Sequence, residues 1–246
     1  MRYLWKFVLT FVLLPSAVGA VFYFLDRYGY FNLSEVHISV EQSGHSKLTL
    51  KKNVENLQAD LSKFKNQSLW HLNLMDFSVR LQEEVWVESF NISRRWPSSL
   101  HIHVKAYPIY FVYMNNQGQI YPVMGNGEML KPVGPAESPD VPITREAQFQ
   151  KSVELRKRAI QLLKDIPLRG SFSRSQVSEI HYNSKIGFSF TLVRDGLVVK
   201  MGDEQIRTKS LRVSEVLDYL YAKKFQARVI DANLSQKVLV RLRKEP

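Results

Sequence analysis

The chain opens on a run without polar periodicity. From Phe7 to Leu25 no residue is charged, and nineteen residues at ~1.5 Å rise make a helix of roughly 28 Å, close to the thickness of bilayer hydrocarbon. Trp5 at one end and Tyr23, Tyr28 and Tyr30 at the other suit the two headgroup zones, and Pro15 at mid-span is tolerated with a bend. Arg2 and Lys6 precede the run with no acidic residue, so the cation bias places residues 1–6 in the cytoplasm as a short tail. Everything after about Asp26 is then exported. Val18-Gly19-Ala20 resembles a processing site, but the run continues past it as VFYFL, which favours an uncleaved anchor over residues 7–25 to a cleavable signal peptide.

Period-two alternation begins soon after. Val36, Ile38 and Val40 alternate with His37 and Ser39 as a half-buried strand, and Thr49 is placed to cap a helix to about Phe64 with Val54, Leu57 and Leu61 on one face. A shorter helix is expected from Asp76, as cap, to Glu84. Two strands follow, with Phe90 and Ile92 inward on the first and Leu100, Ile102 and Val104 inward on the second. The corner between them, Arg95-Trp96-Pro97-Ser98-Ser99, puts Pro97 at the second position of a turn and leaves Trp96 to cover the sheet end. Strand, helix, helix, strand, strand over residues 31–106 is a compact α+β module.

The remaining residues, 107–246, read mostly as strands. Tyr110 to Tyr113 and Ile120 to Val123 flank a Gly118-containing turn, and breakers from Gly134 through Pro142 mark a loop open to proteolysis. A helix is expected from about Arg145 to Asp165, then strands at Val177 to Tyr182, Phe188 to Val193 and Leu197 to Met201, the last two joined by the hairpin signal Asp195-Gly196. A helix from about Glu204 and strands at Ala227 to Ile230 and Val238 to Leu242 close the chain. The fold class is α+β: a transmembrane helix, a β-α-α-β-β module and a β-rich domain with flanking helices.

Composition narrows the chemistry. With no cysteine, disulfide frameworks, Cys-ligated metal and thiol nucleophiles are excluded. The formal charge of +11 admits an anionic partner, but the cations are scattered: Arg156, Lys157 and Arg158 read as a solvated helix face, and Arg241, Arg243 and Lys244 as a solvated strand face. Nucleic acid is not an expected partner. His101 and His103 share a strand face without a third metal ligand, Ser62-x-x-Lys65 lacks its companion penicillin-binding elements, and Gly125-x-Gly127 is no phosphate fingerprint. No catalytic constellation emerges, no cofactor is implied, and a protein that works by binding is the leading expectation.

One stretch is dense with identifiable positions: Trp86-Val87, Phe90, Ile92, Arg94, Trp96-Pro97, Leu100, Ile102 and Val104, followed by Pro108. It resembles the polypeptide-transport-associated (POTRA) domain of the bacterial cell-division proteins FtsQ/DivIB. The resemblance continues at Gly118 to Tyr121, Val141-Pro142-Ile143, Asp195-Gly196, Met201-Gly202 and Ile230-Asp231. Departures are Val85 for a family proline, Lys105 for a glutamate, and Asp231-Ala232-Asn233-Leu234 for an Asp-Leu-Arg-Tyr run. The resemblance implies a single-pass inner-membrane protein of the division septum, with its C-terminus in the periplasm. It would be a non-enzymatic scaffold linking early and late division proteins, and would help position and regulate septal peptidoglycan synthesis by binding FtsB and FtsL (DivIC-like partners). The implied mode is strand addition at the last strand, with Leu234, Gln236, Lys237, Val238, Leu239, Val240 and Arg241 as the contact. Leu239 would face the partner with Arg241 and Arg243, opposite Val238 and Val240. The POTRA sheet around Val36 to Val40 and Leu100 to Lys105, or the membrane segment, would serve other division proteins. An exported POTRA module of envelope protein assembly or secretion is the alternative.

Overall fold

The computed structural model describes residues 11, 13–41, 47–234 and 237–243. The chain divides into two compact units, Met1–Gln42 with Leu50–Ala106, and Ser43–Thr49 with Tyr107–Pro246.

The first unit starts with α1 (Leu14–Arg27), which has Pro15 in its first turn, and none of its fourteen residues is buried. Among the described residues no helix is long and apolar enough to cross a membrane. Residues 1–10 and 12, which include the cytoplasmic tail and the start of the expected span, lie outside the described residues.

Strand β1 (Glu35–Glu41), helices α2 (Lys47–Leu61) and α3 (Leu74–Glu83), and strands β2 (Val87–Arg95) and β3 (Ser99–Ala106) follow in the expected order. The sheet runs β1-β3-β2, with β1 parallel and β2 antiparallel to β3. Leu50, Leu57 and Leu61 of α2, Phe77 and Leu81 of α3, and Leu100, Ile102 and Val104 of β3 are each buried. Both helix starts differ from expectation. The second helix begins at Lys47, so Thr49 lies inside its first turn. The third is capped by Asn73, whose side chain accepts the Met75 N–H while its amide donates to Asp76, so Asp76 is a first-turn partner of the cap. The Trp96–Pro97 peptide is cis, which moves Pro97 to the third position of its turn.

The second unit is built on an eight-stranded sheet. Its strands are β4 (Ile109–Met114), β5 (Ile120–Met124), β6 (Ile143–Thr144), β7 (Val177–Asn183), β8 (Gly187–Leu192), β9 (Val198–Gly202), β10 (Ala227–Asp231) and β11 (Leu239–Leu242), in the spatial order β11-β10-β9-β8-β7-β6-β4-β5. Helices α4 (Ala147–Lys151), α5 (Val153–Asp165) and α6 (Ile206–Ala222) complete it. The core joins Leu163 of α5 and Val213 and Leu217 of α6 to the sheet residues Phe188, Phe190 and Ile230.

Two expectations are corrected. The helix expected from Arg145 to Asp165 is two, because Ser152 adopts extended backbone and its hydroxyl accepts the Leu155 N–H, starting α5 afresh. Arg156 is not on a solvated face: it is buried, its Nε donates to Gly127 O (2.6 Å), and its Nη1 donates to Phe149 O (2.6 Å) and Gln150 O (3.1 Å). It collects carbonyls that the end of α4 leaves without helical partners. Burial lowers its guanidinium pKa below the ordinary value. Lys157 and Arg158 are exposed, and Arg158 pairs with Asp203 (2.9 Å).

Candidate partner-binding edge

A β-sheet exposes unpaired backbone groups only at its edges, so the two edge strands of the large sheet decide where another chain can add. At β5 the edge is covered by the chain itself: Leu130 N donates to Pro122 O, Val133 N to Ile120 O and Met124 N to Glu128 O. Pro122, within β5, also removes one donor there. At the other end β11 pairs with β10 on one side, and no described strand pairs with its outer side.

The orientation of the β11 backbone follows from one bond. Arg243 N donates to Gln226 O (2.8 Å), so its polar groups point towards β10. Backbone direction alternates along a strand, so Arg241 and Leu239 also point to β10, whereas the N–H and C=O of Leu242 and Val240 point to the open edge. Leu239 opposite Asp231 and Val240 opposite Ile230 fit this alternation.

The side chains separate by the same period. Val238 and Val240 pack partly against the core. Leu239 is 54% exposed, and Arg241 and Arg243 are exposed beside it on the other face. Lys237 and Leu234 are exposed before the strand, and Gln236 lies outside the described residues. On the α6 side, Val216, Tyr219, Leu220 and Phe225 form with Val240 and Leu242 an apolar groove of about 490 Å³ beside the open edge. Periodicity places Val240 only on the face opposite Leu239; the groove is not legible there because Phe225 and Tyr219 meet β11 only through tertiary packing. Next to it, Tyr221 donates to Asp195 (3.2 Å) beneath the Arg194 guanidinium, and burial, then Asp195, raises its pKa to about 12.

Asn233, just after β10, is fixed by two bonds. Asn233 N bonds the Asp231 carboxylate, and the Asn233 amide donates to Ile186 O (3.3 Å). Gly202, at φ +72°, leaves the room: a Cβ there would lie 2.1 Å from the Asn233 side chain oxygen. Asn233, a departure from the family run, thus has a structural place in this chain.

Of the POTRA motif residues, all but Pro108 lie in the first unit. Trp86 is buried and donates to Glu84 (2.7 Å), Val87 is half-buried at the start of β2, and Arg94 donates to Leu72 O (2.7 Å). Trp96, by contrast, is 48% exposed beside Pro97. Pro108, in the second unit, accepts the Gly125 N–H (2.9 Å). Lys105 pairs with Glu88 (3.0 Å) on the exposed sheet face, which raises its pKa through that bond. His101 and His103 lie on this face, with His37 beside His101 and Ser39 bonded to His103. Among the described residues no group of three or more metal-ligating side chains is arranged to hold an ion.

Residues 112–233 match the family described as cell division protein FtsQ/DivIB, C-terminal, and residues 31–107 match the FtsQ-type POTRA domain. The chain belongs to the FtsQ/DivIB family of cell-division proteins. Its similarity to the cell division protein FtsQ of Geotalea daltonii is 24% identity over 183 residues, covering 70% of this chain and 65% of that protein. To the FtsQ protein of a Geobacter species it is 27% over 181 residues, covering 71% and 65%. To the DivIB protein of Solibacillus silvestris it is 25% over 157 residues, covering 63% and 50%. The matched part is thus slightly under two thirds of these FtsQ relatives and half of the DivIB relative. In family terms, β1 to β3 with α2 and α3 form the POTRA fold, the FtsQ/DivIB C-terminal match runs from within β4 to just past β10, and β11 follows the matched residues.

Proposed function

We propose that this chain is a non-enzymatic scaffold of the division septum. It binds FtsB and FtsL by strand addition along β11 and so helps position and regulate septal peptidoglycan synthesis. The supporting observation is the contrast between edges: β5 is covered by residues 128–133, whereas among the described residues β11 offers outward N–H and C=O groups beside an apolar groove. A partner strand gains backbone bonds from Val240 and Leu242 and one apolar anchor from the groove. Lys237, Arg241 and Arg243, exposed beside Leu239, attract an acidic segment and contribute more to association rate and specificity than to affinity. Leu234 and Gln236 extend the contact before the strand.

Residues 7–25 anchor the chain in the inner membrane, with residues 1–6 cytoplasmic, POTRA over 31–106 and the β domain over 107–246 in the periplasm. The support is the charge-free run after Arg2 and Lys6. The test is co-purification of the full chain with the FtsB and FtsL of its own cell, combined with depletion. Recovery of the partners and filamentous cells with blocked septa are expected. Normal division together with an outer-membrane protein defect would replace this function with envelope assembly.

A further inference from the structure

Four aromatic rings meet where α1 ends on the first unit. Phe22 of α1 stacks on Phe31 (centroids 6.0 Å) and meets the edge of Trp70 (6.4 Å). Phe31 also meets Trp70 (6.0 Å) and Trp96 (5.8 Å), and the two tryptophans lie 4.5 Å apart. Polar contacts tie the same junction: Asp26 accepts from Ser68 and lies 3.5 Å from His71 Nε2, and Leu69 N donates to Phe31 O. Phe31 is buried, yet Trp70 and Trp96 are 53% and 48% exposed, and neighbouring Tyr30 is 56% exposed. Large rings gathered in this way are unusual on a water-facing surface.

Their position along α1 points to an occupant. Phe22 lies inside the uncharged run that ends at Leu25, only about 4.5 Å of helix rise before that end. The headgroup layer of one leaflet is about 5–7 Å thick. Phe31 and Trp70, which meet Phe22, therefore stand at the level of that layer whenever the run spans the bilayer, and Trp96 lies against both of them. Indole and phenol rings favour this zone, where an apolar body and a polar N–H or O–H are both satisfied. Arg27 in the last turn of α1 and Arg95 beside Trp96 are exposed cations suited to lipid phosphates.

We propose that Trp70 and Trp96, backed by Phe31 and Tyr30, seat the POTRA domain in the headgroup layer of the membrane that α1 enters. The occupant of this aromatic surface is the lipid interface. The seat rests on the reading that residues 7–25 span the bilayer. It fixes the POTRA domain at the membrane surface through two contacts, a helix and an indole pair, instead of leaving it on a free tether.

The test uses the full chain in phosphatidylcholine vesicles, with and without lipids brominated near the headgroup end of the acyl chain. W5F keeps Trp70, Trp86 and Trp96 and leaves the aromatic junction intact, and Trp86 is buried in the domain core. With two of its three tryptophans at the interface, W5F is expected to lose roughly half of its emission to the shallow bromines. The double variant W70F/W96F keeps Trp5 and reports whether the anchor itself is inserted. Quenching of W70F/W96F without quenching of W5F would overturn the seat while the anchor stands, and would leave the aromatic surface to water or a protein. Absence of quenching in both chains would overturn the anchor and the seat together.

Discussion

Val240→Pro separates partner binding from folding, because the Val240 N–H points to the open edge and not to β10. The geometry rests on the Arg243 to Gln226 bond and the alternation it sets along β11. A strand laid against β11 uses two backbone groups each from Val240 and Leu242, four hydrogen bonds at about 0.5–1.5 kcal/mol net apiece. Proline removes one of these donors, and its ring occupies the place of the accepting carbonyl, so about two bonds are lost. That is about 1–3 kcal/mol, or a Kd raised about 5- to 150-fold. Proline also keeps most of the half-buried apolar contact of Val240, and an edge position with an outward N–H tolerates it. The melting temperature should therefore move little. Leu239→Pro is the counterpart: its N–H points to β10, and its cost should appear as a lower melting temperature. Titration of the purified FtsB/FtsL pair against the full chain in nanodiscs measures the first effect, and thermal unfolding the second. Unchanged affinity for a folded V240P chain would refute strand addition at this edge.

Three further outcomes follow from other parts of the fold. Arg156→Ala leaves the Gly127, Phe149 and Gln150 carbonyls without their buried donor, and should destabilise the β domain by about 3–5 kcal/mol in denaturant titration. Gly187→Ala combines a φ of +82° with a Cβ 2.8 Å from the Gly202 backbone, and should cost at least about 2 kcal/mol, read by the same titration. Glu146→Gln tests a titration: bonding to Glu146 raises the His181 pKa above 6.5, with Glu179 adding to the effect and burial and Arg145 opposing it. A raised folded pKa stabilises fully below the unfolded value and loses that contribution as pH rises through the folded one. The stability deficit of E146Q should thus be largest near about pH 5.5 and shrink by about pH 8.5, to what the Tyr182 N–H bond to Glu146 leaves.

Local pattern carried the sequence a long way. The strands around Leu100 and Phe188 were legible because one face of each is buried, and those around Val36 and Phe90 because one face is at least half-buried; burial on one face writes a period of two into the residues. The dense Trp86 to Val104 series identified the family, because those residues serve core and corner at fixed spacing. The helix break at Ser152 was not legible: Ser152 can sit in a helix, and the break is seen only where its hydroxyl caps α5 and the buried Arg156 takes up the α4 carbonyls. Strand β6 was missed as well, since two residues are too few for periodicity, and Ile143 and Thr144 are strand only through their neighbours β4 and β7.

The candidate site divides along the same line. Sequence determined that the final segment is an alternating strand with Leu239, Arg241 and Arg243 on one face, because side-chain direction in a strand is a local property. Tertiary structure decided that this strand is an edge while β5 is covered, that the Val240 and Leu242 backbone faces outward, and that α6 walls a groove beside it. It also decided that Trp96, expected to cover a sheet end, meets Trp70 and Phe31 near the end of α1. Edges, grooves and ring clusters belong to pairs of segments distant in the chain, and no local period records which segments will meet.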